Sequence, residues 1–595
     1  MHLDHGIIGN GRVLALVHPD SSVDWSCMPR FDSPSLFARI LDEEKGGTWQ
    51  FLTDGVLQEG ELKYVRNTNV LRHVFHSESG SWELFDFMPR IPDGLRHRTP
   101  LCHVRLLRPL TGRPRIKVNF DPRPDYGATE PQLFPDGAGL SFDSSGHRWS
   151  LQTNLPVDYV LSGQEFTLDA PRFFKLDYGL PSEPQHIDDI HRSLDLTIAG
   201  WRSWASSTAI PGFADEDVIR SALCLKLHAY EPTGAIIAAA TTSIPEMLGE
   251  PRCWDYRFSW LRDSVFTVEA LRRTAHFSEG RQFLRFLLDV VESGPLQPLY
   301  GIGGERELPE SELSHLDGFE GTKPVRIGNA AAAQYQADLM GEVVLCIRSM
   351  LIDQRSDLRD PSQWYPLVAR MVDEAIDGFE KEDMGIWEYR EKPMLHTFSR
   401  AMCWAAVDAG SDIAEHFDHQ EQADAWRLVA ASMRERLLLE SYNEELGMFQ
   451  QAVDCPHADA ALLLLPSIGF ISATDPRFLS TLDAYKDRLV RDGGVMRYVH
   501  EDDFGTPTTS TFTICSFWWI EALALAGRLD EAVEMFEVIR SKSNKLGLFS
   551  EDYCVEDKRL LGNFPQAYTH VGLINAAMTL GNLLRARDSQ FHAWS

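Results

Sequence analysis

The hydrophobic pattern of this chain changes its period once, near residue 205, and no other feature of the sequence restricts the fold as much. Upstream of the change, short runs rich in β-branched and aromatic residues alternate with clusters of Gly, Pro, Asp and Ser. Arg12–His18, Val70–His76, Ser81–Phe87, Cys102–Leu107 and Arg115–Phe120 read as strands of an antiparallel sandwich. Downstream, apolar residues recur at the spacing of amphipathic helices, in about a dozen segments. Glu216–Tyr230, Asp263–Thr274, Ala330–Leu351, Trp364–Phe379, Glu421–Leu438, Leu529–Val538 and Gln566–Leu584 are the clearest. Pro181–Trp204 reads as a helical linker between the two regimes.

A chain of 595 residues is too long for one ordinary core. The helical segments are joined by alternately short and long connections, some longer than a bundle needs. That arrangement fits six helical hairpins closed into an (α/α)6 barrel, with loops at one rim free to carry a site. A helical solenoid fits the same pattern, although no fixed repeat is present. The predicted organisation is an N-terminal antiparallel β-sandwich over 1–180, a linker over 181–212 and an all-α (α/α)6 barrel over 213–595.

A formal net charge of −30 argues against nucleic acid and against anionic membranes, both of which need clustered Lys and Arg. It suits a neutral substrate. The longest apolar run, Ala460 to Ile471, is broken by Pro466 and reads as a buried helix end. The amino terminus lacks the basic and apolar segments of a secretory signal. Nine cysteines stand without paired spacing and no Asn-x-Ser/Thr acceptor occurs, so a cytoplasmic location is the expectation.

Three segments put aromatic, basic and acidic residues side by side. In Cys253–Asp263, Trp254, Tyr256 and Trp260 offer flat faces, while Arg262 and Asp263 offer a donor fork and an acceptor pair. Sugars need that mixture, because their CH faces stack on rings and their hydroxyls take directional hydrogen bonds. A helix start capped by Asp263, with the aromatics as core, explains the same residues equally well. In Gly385-Ile-Trp-Glu-Tyr389, Glu388 directly follows Trp387, whose ring could desolvate the carboxyl and suit it to give up a proton. In Leu546–Tyr553, Glu551 follows an apolar stretch and stands beside Asp552 and Tyr553. Taken singly, either glutamate reads as an ordinary solvated residue.

Longer stretches carry a resemblance. Ile8-Gly-Asn-Gly-Arg-Val-Leu-Ala-Leu-Val17, Ser22-Val-Asp-Trp-Ser-Cys-Met-Pro-Arg-Phe-Asp-Ser-Pro34, Trp260-Leu-Arg-Asp263, Tyr300-Gly-Ile302, Val325-Arg-Ile-Gly-Asn-Ala-Ala331, Gly385-Ile-Trp-Glu388 and Leu561-Gly-Asn-Phe-Pro-Gln-Ala567 occur in order. Together they resemble glycoside hydrolase family 15, the glucoamylase and trehalase family, and its trehalase-like bacterial and archaeal branch, over nearly the whole chain. The resemblance implies an inverting, exo-acting α-glucosidase that frees β-D-glucose from a terminal α-linkage. Trehalose is the favoured substrate; glucoamylase-type action on malto- or isomalto-oligosaccharides is the alternative. It implies that Glu388 is the general acid and Glu551 the general base, and that Arg262 and Asp263 grip glucose hydroxyls. Tyr256 and Trp260 then line that subsite beside Trp387, and Arg497 and Tyr498 form a further substrate-binding segment. Inversion leaves room for a water, so the two carboxyls are expected about 6.5–9.5 Å apart. Two positions depart from the family's pattern: Cys554 stands where Asp is common, and Tyr389 stands where fungal glucoamylases have a second acid.

Other readings are weaker. A sugar-binding protein without catalysis would keep Arg262 and Asp263, but both glutamates are present. A phosphorylase on the same barrel would set the Glu551 carboxylate against an incoming phosphate. His186 and His191 are spaced poorly for one helix face and read as linker, Gly301–Arg306 lacks a dinucleotide-site pattern, and no nucleophile elbow occurs. His315, His396 and His570 sit near rim loops, His570 near enough to line the pocket. No cofactor or metal is expected. The expected partner is a small carbohydrate, and association into a homo-oligomer stays open.

Overall fold

The structure is a computed structural model that describes residues 2–53, 61–94, 96–137, 139–179, 185–356, 358, 361–505 and 509–592. The first region is built from two antiparallel sheets. One runs in the order Gly6–Gly9, Leu14–Val17, Val23–Cys27, Thr48–Thr53, Arg115–Asp121, Phe166–Thr167, with Ser35–Phe37 beside Val23–Cys27. In the other, Cys102–Gly112 lies between Gly80–Phe87 and Arg172–Tyr178, flanked outward by Leu71–Ser77 and His147–Thr153. Trp49 and Phe51 of the first sheet meet His103 and Phe174 of the second at ring distances of 5.2 and 5.1 Å. Inside this apolar layer lies Arg105, which donates to Asp86 Oδ1 at 2.7 Å and to the Trp49 carbonyl at 2.6 Å. A buried guanidinium is tolerable only when its N–H groups are so matched. A short helix α1 (Asp158–Ser162) completes this region, and α2 (Ile187–Ala205) follows it. The first residues of the linker reading, 181–184, lie outside the described residues. His186 opens α2, its backbone N–H donating to the Asp189 carboxylate at 3.0 Å, so the His186/His191 pair belongs to a helix start.

The second region holds α3 (Asp215–His228), α4 (Leu261–Arg273), α5 (Phe277–Glu292), α6 (Asp338–Ile352), α7 (Trp364–Gly378), α8 (Thr397–His416), α9 (Gln420–Ser441), α10 (Pro476–Leu489), α11 (Thr513–Leu525), α12 (Leu529–Arg540) and α13 (Ala567–His592). Helices α4, α6, α8, α11 and α13 form an inner ring that closes where α13 packs on α4. The sixth inner place, between α8 and α11, is filled by a 3₁₀ turn over Ala460–Leu464. This is the apolar run broken by Pro466, and every residue of the turn is buried. Behind the inner ring lie α5 on α4, α7 on α6, α9 on α8, α12 on α11 and α3 on α13. Tyr485 of α10 donates to the Phe449 carbonyl at 2.8 Å and fixes the last outer helix. The sequence explains which helix goes where. Helix α11, TICSFWWIEALAL, is apolar nearly all round and belongs inside, whereas α9 buries one stripe and exposes the rest. The architecture is an (α/α)6 barrel beside a β-sandwich.

One predicted helix is broken. Ala330–Leu351 is not continuous: a 3₁₀ turn spans Ala330–Ala333, and α6 begins only at Asp338. Gln334 is extended (φ −76°, ψ 153°), because Gln334 and Gln336 turn their amides toward the Glu388 segment. Among the described residues, no helix is long and apolar enough to cross a membrane.

Candidate active site

Residues 254–260 lead into α4, and two aromatics that the sequence singles out there, Tyr256 and Trp260, each hold one glutamate. The Tyr256 hydroxyl donates to Glu551 Oε1 at 2.7 Å, and the Trp260 indole N–H donates to Glu388 Oε1 at 2.8 Å. Their rings meet edge to face at 5.3 Å. Residues 128 and 295 positions away in sequence are thus brought to one place by two neighbouring rings.

Glu388 Oε1 also receives Arg262 Nη2 at 3.1 Å and Gln336 Nε2 at 3.3 Å. The other guanidinium nitrogen of Arg262 donates to Asp338 Oδ2 at 2.8 Å and to Gln336 Oε1 at 3.0 Å. Three donors on one oxygen fix the carboxyl plane. The side chain keeps 21% of its surface exposed, and its second oxygen has no protein partner among the described residues. The backbone here is special. Glu388 has φ 60°, the left-handed region, at a cost of about 1–3 kcal/mol for a residue with a side chain. Gly385, at φ 63°, lies so close to His396 that a Cβ would sit 2.8 Å from its ring. Gln334 Nε2 holds the carbonyls of Glu388 and Tyr389 at 3.3 and 3.0 Å, which maintains the turn.

Glu551 is 1% exposed. Burial pushes its carboxyl well above the usual carboxylate range, and the nearby Glu246 and Asp552 add to this; Arg497 and the Tyr256 hydroxyl oppose it. Asp552 is likewise pushed up to about 8 by burial, while accepting from Ser510 Oγ at 2.9 Å. Gly562, at φ 74°, lets the chain lie against Glu551: a Cβ there would stand 2.6 Å from the Glu551 Cβ. Asp263 is buried at the start of α4 and is pushed up to about 7, by burial first and then by Glu388, with Arg262 opposing.

Tyr256, Trp260, Arg262, Asp263, Glu388 and Glu551 line one open cavity. Trp387, Arg497 and Tyr498 line it too. Arg497 is ion-paired with Glu246, and the Tyr498 hydroxyl donates to Asp502 at 2.8 Å, so both are held by neighbours. Much of the lining comes from the first turns of inner helices or the segments entering them, where the positive helix ends favour carboxylates. The sandwich reaches this place through Arg257. Its guanidinium is paired with Asp255 at 2.7 Å and donates to the Ser33 carbonyl and the Tyr126 hydroxyl, each at 2.9 Å.

The profile of glycosyl hydrolases family 15 matches residues 212–578, and that of the trehalase-like N-terminal region matches residues 4–165. The chain belongs to glycosyl hydrolase family 15. It is a glycoside hydrolase. The trehalase of Thermoplasma volcanium is 32% identical, covering 99% of this chain and 95% of that protein. The trehalase of Mycobacterium tuberculosis is 34% identical, covering 98% and 90%. A bacterial glucoamylase whose crystal structure holds acarbose superposes with a TM-score of 0.71 at 13% identity, over 99% of this chain and 96% of that one, and so shares the fold.

Within this family 15 hydrolase, some expectations need correcting. The indole that bonds Glu388 is that of Trp260, not its sequence neighbour; Trp387 donates to Asp459 at 2.9 Å and packs on Tyr498, Phe512 and Trp518. Trp254 is not a free face: the guanidiniums of Arg326 and Arg390 each stand 4.5 Å from its ring. His570 does not line the cavity. It is buried between Ser221 Oγ at 2.9 Å and the Phe549 backbone N–H at 3.3 Å. His315 bonds the Tyr126 carbonyl at 2.9 Å, and His396 stacks on Tyr389. Cys554 lies off the cavity, whereas Tyr389 lines it, its hydroxyl accepting from Gln451 Nε2 at 2.7 Å. Sequence reasoning missed Glu246, Gln336, Asp338 and Asp459. For Gln336 a signal was present, since Gln334-Tyr-Gln336 interrupts the helical period. Glu246 and Asp459 stand in loops with nothing local to mark them.

Proposed function

We propose that this enzyme hydrolyses α,α-trehalose by a single displacement with inversion, with Glu388 as general acid and Glu551 as general base. The observation that carries the reading is the pair of glutamates tethered to Tyr256 and Trp260 across one cavity. Relatives named trehalase, similar over nearly their whole length, support the choice of substrate. One glucose ring seats against Tyr256 and Trp260, and Arg262 and Asp263 take its hydroxyls. Glu388 delivers a proton to the glycosidic oxygen through the carboxyl oxygen that the protein leaves free. Glu551 draws a proton from a water, whose oxygen bonds the anomeric carbon as the glycosidic bond breaks. The hydrogen bond from Tyr256 aims the base. Glu551 must lose its proton before it works, so its raised pKa sets the acidic limb of the pH profile. Arg497 and Tyr498 line the place of the leaving sugar, where Tyr389 offers a neutral phenol instead of a second acid.

A panel of trehalose, maltose, isomaltose, kojibiose, nigerose and maltotriose tests the substrate, with NMR reading the anomers before they equilibrate. Inversion of trehalose gives one β-glucose, at the attacked carbon, and one α-glucose from the leaving group. Two α-glucose molecules from each trehalose would sink inversion. Faster cleavage of maltotriose than of trehalose would overturn the substrate.

A further inference from the structure

Beneath Arg262, away from the cavity, two carboxyls face each other with no donor between them. Asp338 and Glu342 stand four residues apart in the first turns of α6, hence on one face. They are 0% and 1% exposed. Asp338 Oδ2 takes Arg262 Nη1 at 2.8 Å, but Asp338 Oδ1 and both carboxyl oxygens of Glu342 meet no N–H or O–H donor among the described residues. The titratable and charged groups around Glu342 include Asp338 and the buried Cys346 thiol on its own helix, Arg262 and Asp263 on α4, and Tyr568 on α13. On the α8 side, the Cys403 thiol is kept neutral by burial. The cation nearest this pair, Arg262, is already shared by Asp338, Gln336 and Glu388. Two buried carboxylates in contact cannot both stay ionised beside half a guanidinium. A single proton resolves the arrangement, because it turns two orphaned oxygens into one hydrogen bond. Asp338 keeps Arg262 on its other oxygen whereas both oxygens of Glu342 lack a donor, which puts the proton on Glu342; burial, then the Asp338 charge, push its carboxyl in the same direction, above the usual range.

We propose that Glu342 is a positioning residue that stays protonated, donates to Asp338 Oδ1, and thereby fixes the Arg262 guanidinium that holds Glu388. This rests on the reading of Glu388 as the acid. Were Glu342 to ionise, a second negative charge would draw Arg262 down toward α6 and off the Glu388 oxygen. Orientation of the acid would then depend on a proton that never reaches substrate.

Two variants of the full chain separate this role from packing. Glu342→Gln keeps an N–H donor for Asp338 and the same net charge on the pair. It is expected to keep kcat on trehalose within about threefold of the parent, because the hydrogen bond survives. Glu342→Leu keeps volume but leaves Asp338 Oδ1 unpaired. Its kcat is expected to fall about tenfold or more with KM little changed, and its alkaline limb to move. A difference infrared spectrum of the parent minus Glu342→Gln at pH 7 reads the proton directly, as the loss of a protonated-carboxyl C=O band. That measurement decides the matter even if Glu342→Leu fails to fold. The inference is overturned if no such band is lost, if Glu342→Gln is as impaired as a folded Glu342→Leu, or if Glu342→Leu behaves as the parent. Assaying Glu388→Gln on α-glucosyl fluoride, whose leaving group needs no acid, tests the role of Glu388 separately. Loss of that activity would refute the acid reading while the infrared band still reports on Glu342.

Discussion

Glu388 and Glu551 face one cavity, yet the protein holds them in opposite ways. Glu388 is partly exposed, sits on a left-handed turn, and is gripped on one oxygen by an indole, a guanidinium and an amide. Glu551 is almost wholly buried, takes one hydroxyl, and is surrounded by other acids. The first is controlled through direction: many donors on one oxygen leave the other in a defined place. The second is controlled through proton affinity, because burial and like charge decide when it is ionised. The proposed mechanism asks one carboxyl to give a proton and the other to take one, and such a division gains from unlike surroundings.

The sharpest way to break this comparison is to remove each carboxyl in turn. Glu388→Gln and Glu551→Gln are each expected to lower kcat on trehalose by about 10²–10⁴-fold with melting temperature nearly unchanged. On α-glucosyl fluoride the two should part, the first recovering and the second not. Equal recovery of both would erase the distinction. Next in size is Arg262→Lys, which cannot serve Glu388, Gln336 and Asp338 at once. A misplaced acid of this kind costs about 10²-fold in kcat, and steady-state rates on trehalose would check it. Tyr256→Phe removes the hydroxyl that bonds Glu551 and should cost about tenfold at the pH optimum. Its pH profile carries a sign as well. Losing a donor raises the pKa of the base, so the acidic limb of kcat/KM moves to higher pH. The smallest effect is expected from Asp552→Asn, which takes a negative neighbour from Glu551. The base then ionises more readily, and the same limb moves to lower pH by about one unit, with the plateau rate little altered. Movement of both variants in the same direction would contradict the picture of Glu551.

Much of this could be read from residues alone, and the rest could not for identifiable reasons. The change from period two to period 3.6 marks the two regions because sheets and helices bury their faces at different spacings. Tyr256, Trp260, Arg262 and Asp263 stand out because they are crowded into one segment. The sixth inner place was legible only as a buried helix end: Ala460–Leu464 is apolar enough for the inner ring but too short to show helical period. Asp338 and Glu342 lie in the segment Ala330–Leu351 that reads as one amphipathic helix, and nothing local in it shows that α6 turns Asp338 onto Arg262. Trp387 looked like the partner of Glu388 because it is adjacent in sequence, but a left-handed turn sends the two side chains to different neighbours. Adjacency along a chain says little about contact wherever the backbone reverses.

The clasp of Arg257 has a practical side. Every described residue lining the cavity comes from Ala238 onward, so a gene fragment encoding the barrel carries all of them. Arg257, however, anchors the segment carrying Tyr256 and Trp260 to the Ser33 carbonyl and the Tyr126 hydroxyl of the sandwich. In a chimera that pairs this barrel with a foreign partner, those two acceptors would be the first thing to rebuild. The β-region is the casting in which the site is set, and the two halves are a single transplantable unit.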